Sequence, residues 1–166
     1  TWAELERLAR AASAEERLAE IYAAELEKIS ADEPATERLA YRTGELYEGL
    51  GGQKFAIRAL QFYRRAYEFA PEDEQKAFQA IDRLLLAANR PAERVVLYRD
   101  SLEYRTDPVT RVQTLHTIAT IEEGEVQDDE AAILTYRSIL DVDETDVTAL
   151  DALGLASHGF RCEGRS

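Results

Sequence analysis

Methionine is absent from the 166 residues, cysteine and tryptophan occur once each, and of the 20 basic residues only Lys28, Lys54 and Lys76 are lysines. The lone Cys162 can close neither an internal disulfide nor a cysteine-based metal site, so the fold must rest on packing, as suits a reducing cytoplasm. No stretch approaches the roughly 18 to 20 consecutive apolar residues that span a bilayer. The opening Thr1-Trp2-Ala3-Glu4 also lacks the basic and apolar regions of a signal peptide, so no membrane insertion is expected. The missing initiator methionine points to an excised piece of a longer chain. Positive charge is scarce too: 20 Lys and Arg against 33 Asp and Glu leave a net charge of −13, with no basic cluster able to neutralise several phosphates. Nucleic acid is therefore not an expected ligand. His116 and His158 are the only histidines and share no metal-ligand spacing, and no Ser/His/Asp or Cys/His set can be assembled. No catalytic, metal-ligating or cofactor-binding residue is nominated, and the chain is not expected to be an enzyme.

What is present is a period. Pro34, Pro71 and Pro108 stand 37 residues apart, and the same step lands on Thr145 within Asp143-Glu144-Thr145-Asp146. Each follows or opens an acidic cluster ahead of a new apolar run. Proline in a first helical turn loses no hydrogen bond and carboxylates favour a helix N-terminus, so these are helix starts. Between them apolar residues recur three and four apart, with almost no β alternation. The pattern predicts helices near 2–12, 14–29, 34–50, 54–70, 73–89, 91–105, 109–126, 128–142 and 146–157. About nine helices paired within each period make αα-hairpins, none able to bury its apolar stripe alone; stacking into a solenoid over 1–157 follows. The units fall at about 1–32, 33–72, 73–107, 108–145 and a partial 146–157. Residues 158–166 have neither period nor cap chemistry and are expected to be irregular, as a natural end, a lid folding back or sequence foreign to the repeat.

Ala59, Tyr63, Ala66 and Pro71 reproduce the small, aromatic, small, proline pattern of the second helix of a tetratricopeptide (TPR) unit. Weaker copies stand at Ala132, Tyr136 and Ile139, at Tyr98 with Ser101, and at Tyr22. Leu150, Leu153 and Gly154, then Leu115, Ile118 and Ala119, then Trp2 and Leu5 match the first helix of such a unit. The chain resembles the TPR family over about residues 1–157. That resemblance implies an all-α, right-handed superhelix whose first helices line a concave groove. The anchors Tyr22, Tyr63, Tyr98 and Tyr136 are 41, 35 and 38 residues apart against a family step of about 34, so extra length must sit in the first helices or the turns. HEAT-type repeats carry a proline inside the first helix and an Asp/Arg pair near the second, and neither recurs. Another αα-solenoid or a closed bundle remains an alternative.

The expected role is a scaffold or adaptor that holds a partner protein or peptide. The alternative is a regulatory module of a larger protein, or self-association into a homo-oligomer through the unfinished C-terminal helix. The first-helix register nominates Tyr41, Glu48, Phe78, Asp82, His116 and Thr120 as partner contacts. TPR co-chaperones that clamp a carboxylate terminus line the groove with Lys, Asn and Arg. Here the corresponding positions, Glu48, Asp82, Gln113 and Thr120, are acidic or neutral, so a neutral or basic partner is expected. Asp141 to Asp146 resembles the opening of a calcium loop but has Asp146 where glycine is needed and Ala152 where the bidentate glutamate belongs. Gly51-Gly52 reads as a helix stop, and the stripe Phe55, Phe62, Tyr63, Tyr67 and Phe69 as core. Arginine- and alanine-rich composition hints at a high-GC bacterial source.

Overall fold

A computed structural model describes residues 2–29, 34–69 and 75–154. Among these residues every regular element is a helix. In chain order they are α1 (Trp2–Ala11), α2 (Glu15–Leu26), α3 (Pro34–Leu50), α4 (Gln53–Phe69), α5 (Gln75–Ala87), α6 (Pro91–Ser101), α7 (Pro108–Ile121), α8 (Asp129–Val142) and α9 (Val147–Ala152). A π-helical stretch, Glu122–Val126, continues α7. The expected helix starts hold at Pro34 and Pro108, where proline opens the helix, while Pro71 lies outside the described residues. Tyr22, Tyr63, Tyr98 and Tyr136 fall on α2, α4, α6 and α8. The last helix is shorter than expected: α9 closes at Ala152, and Gly154 takes a left-handed φ of 68° that ends it. Residues 155–157 and the tail, with His158 and Cys162, lie outside the described residues. The chain divides into two compact units, 1–84 and 85–166.

In the first unit the turn between α3 and α4 is made by Gly51 and Gly52, both left-handed at φ 72° and 82°, a pair of conformations that side chains rarely tolerate. The two 17-residue helices it joins form the main hairpin. Small residues sit at the crossings: Ala19, Ala40, Ala59, Ala66 and Ala77 have no exposed surface. Gly44 of α3 lies against the Tyr63 ring so closely that an added Cβ would stand 2.8 Å from it. Of the aromatic stripe, Tyr63 is buried, whereas Phe55 and Phe62 stack on Tyr47 at 6.2 and 5.5 Å and Tyr67 meets Phe78 at 5.8 Å. Hairpins are joined like to like. First helices are linked by Arg42 to Glu6 at 3.3 Å and by Arg83 to Glu48 at 2.8 Å. Second helices are linked by Lys54 to Glu16 at 3.6 Å, and by Arg65, which donates to the Leu26 carbonyl at 2.8 Å. That carbonyl lies at the end of α2, where helical donors run out, and a neighbouring helix answers it.

In the second unit Leu115, Ile118, Ile139 and Ala149 form a core against which Val95, Tyr98, Leu102, Val112, Tyr136 and Leu140 pack. Aspartates cap three helices: Asp107, Asp128 and Asp146 accept from the amides of Thr110, Ala131 and Ala149 at 2.8, 3.0 and 2.8 Å. The π-helical stretch carries a buried polar network. Glu122 accepts from Thr135 Oγ1 at 2.7 Å and from Arg99 at 2.6 Å, and Glu125 accepts from the buried Arg94 at 2.7 Å. A charge taken from water is tolerated only when so paired.

Candidate functional site

A cavity of about 390 Å³ opens where the early turns of α1, α3 and α5 meet. Its walls are Trp2 of α1, then Ala35, Glu37, Arg38, Leu39, Tyr41 and Arg42 of α3, and Lys76 of α5. The apolar part is aromatic. Trp2 leaves half its surface exposed although its ring meets Tyr22 edge-on at 4.9 Å, and Tyr41 is half-buried beside Tyr63 at 5.3 Å. Rigid rings that carry a polar edge are common anchors for a bound chain.

The polar part is mostly cationic. Arg42 reaches Glu6, which is almost wholly buried, and also Glu45 at 3.5 Å. Arg38 and Lys76 are exposed, and among the described residues neither makes an ion pair or a side-chain hydrogen bond. Among the described residues Glu37 is the one carboxylate in the wall. The cavity also lies at the N-terminal ends of three helices, whose dipoles add positive potential there.

The nominated contacts are placed as follows. Tyr41 lines the cavity. Glu48, two turns further along α3, is engaged: Tyr63 donates to its Oε2 at 2.8 Å and Arg83 donates to both oxygens at 2.8 and 2.9 Å. Burial, followed by this bond to Glu48, holds the Tyr63 phenol far above its ordinary range, so it stays a donor. Phe78 is buried against Tyr67 with only 7% of its surface exposed, and Asp82 is half-buried on the same helix. His116 and Thr120 belong to the second unit. His116 Nε2 lies 2.9 Å from Asp146 Oδ2, and this contact, with the Ala149 amide, lowers the Asp146 carboxyl below its usual value. The pair ties α7 to the start of α9. Thr120 is exposed and donates to the His116 carbonyl at 2.8 Å.

The register did not find Trp2, Arg38 and Lys76 as neighbours. Each lies in the first or second turn of a successive first helix, a juxtaposition that follows from stacking and not from any local motif. Among the described residues no group of three or more His, Cys, Asp or Glu could hold a metal ion, and no helix is long and apolar enough to cross a membrane. No protein-family model matches the chain, and no curated protein matches it.

Proposed function

We propose that the chain is a helical-repeat scaffold of the TPR kind whose first helices hold a segment of a partner protein. The observation that carries this reading is the cavity itself, with Trp2 and Tyr41 presented on first helices of successive hairpins. Support for the TPR kind comes from tyrosines on every second helix and from unexposed alanines beside them, above all Ala59 and Ala66 around Tyr63. The extra length that separates these repeats from the family step fits the 17-residue α3 and the π-helical continuation of α7. The proposal includes a bacterial, cytoplasmic setting, on the composition and the single cysteine.

The neutral or basic partner expected from the sequence rests on the acidic total and on Glu48. Because Arg83 and Tyr63 already occupy Glu48, that residue no longer argues for a basic ligand, and the acidic total is left as its main support. The test is a peptide-array screen with wild type, Trp2→Ala and Tyr41→Ala. Peptides that bind wild type and are lost from both variants are expected; an array on which nothing binds, or on which both variants bind as wild type does, overturns the proposal.

A second reading, self-association through the C-terminal hairpin, is favoured by exposed Ile133, Leu134 and Val147, the last at 68%. Sedimentation equilibrium decides it. A mass that rises with concentration and returns to monomer in Val147→Asp supports it, and a monomer throughout rejects it.

A further inference from the structure

Among the described residues the cavity wall carries a sign opposite to that of the molecule. In a chain of net charge −13, the described residues of its wall set Arg38, Arg42 and Lys76 against Glu37. Arg42 is occupied by Glu6 and Glu45, which leaves two cations without an ion-pair partner among the described residues, one on α3 and one on α5. Two exposed or half-buried rings, Trp2 and Tyr41, share the same wall. One terminal carboxylate would leave part of this unanswered. Two such cations on different helices, with aromatic surface in the same wall, fit two acidic side chains that flank an apolar one.

We propose that the cavity receives an internal acidic segment of a partner protein, with an apolar residue seated against Trp2 and Tyr41 and neighbouring carboxylates drawn to Arg38 and Lys76. This rests on the reading of the chain as a peptide-holding scaffold and gives its ligand a sign. Attraction at partly exposed cations is modest per pair, and it is strengthened here by a shared concave wall and three helix N-termini. The remaining acidic surface, by the same token, repels an acidic chain that misses the cavity.

Trp2 is the only tryptophan, so its emission reports this wall and nothing else. The probe is an N-acetylated, C-amidated octapeptide with two glutamates on either side of a leucine, titrated into the protein while Trp2 fluorescence is followed. Its glutamine and lysine counterparts, and the same glutamate peptide with a free C-terminus, are run beside it. Saturable change is expected with both glutamate peptides, weaker by about tenfold with the glutamine peptide and in Arg38→Glu/Lys76→Glu, and within about twofold of wild type in Arg137→Glu, an exposed arginine on α8. Equal binding of glutamate and glutamine peptides overturns the proposal, as does binding only of the free-terminus peptide. Preference for the lysine peptide overturns it while leaving the scaffold reading intact. If none of the peptides perturbs Trp2 and the array also yields no ligand, both readings fall together.

Discussion

Two glycines on α3 make the sharpest test at the scale of single residues, because ordinary helix propensity assigns them the same sign. Replacing glycine by alanine inside a helix stabilises by about 0.5 to 1 kcal/mol through the entropy of the unfolded chain. A Cβ at Gly49 would meet nothing within 4 Å, so Gly49→Ala is expected to raise the midpoint of urea denaturation by about that amount. At Gly44 the same Cβ would stand 2.8 Å from the ring of Tyr63, which is buried and tethered through its hydroxyl to Glu48. Gly44→Ala should therefore destabilise by about 1 to 3 kcal/mol. Equal shifts in the two variants would show that α3 and α4 do not approach as described. Gly44 was hidden in the sequence because the first-helix pattern looks for a leucine followed by a small residue, and here Thr43 precedes it. What requires a glycine at that place is a ring 19 positions away. The same holds for Glu48. Read along the helix it is an unspent groove acid; in space its partners come from α4 and α5.

At the scale of elements most of the sequence reading stands, and the reason is that helix starts and stops are local chemistry. Proline at Pro34 and Pro108, the aspartates at 107, 128 and 146 and the glycines at 51 and 52 fix boundaries whatever lies beyond them. The predicted helix over 109–126 is continuous in the structure, yet its last five residues widen into a π-helix that periodicity cannot distinguish from α. Buried polar chemistry marks the change. Thr135 gives its hydroxyl hydrogen to Glu122, and both side chains are nearly without exposed surface. Thr135→Val keeps the shape and removes the donor, leaving one carboxylate oxygen unanswered in the interior. A loss of about 1 to 3 kcal/mol is expected by chemical denaturation, with most of it restored in Thr135→Ser. A neutral Thr135→Val would mean that Arg99 alone satisfies Glu122.

For the molecule as a whole, burial raises the phenols of Tyr22, Tyr47, Tyr63 and Tyr136 together, Tyr63 the most. Their protonated forms are favoured by the fold, so the contribution is complete below the unfolded tyrosine value of about 10 and is lost as pH rises beyond it. Denaturation midpoints measured from pH 8 to 11 should be flat at first and then fall, while tyrosinate absorbance in the native protein lags behind that of the unfolded chain. A midpoint that holds level through pH 11 would show that these phenols ionise as freely folded as unfolded. Three of the four, Tyr22, Tyr63 and Tyr136, are legible in the sequence as hairpin anchors, whereas Tyr47 is not, because its two stacking partners lie on the following helix.

The bond from Arg65 to the end of α2 has a consequence for the order in which the molecule can be made. Leu26 leaves the ribosome 39 residues ahead of the guanidinium that closes its carbonyl. Until then that oxygen lacks the guanidinium, and the opening hairpin forms without this bond. Its final turn is sealed when α4 swings alongside, so completion of the first hairpin is timed by the synthesis of the second.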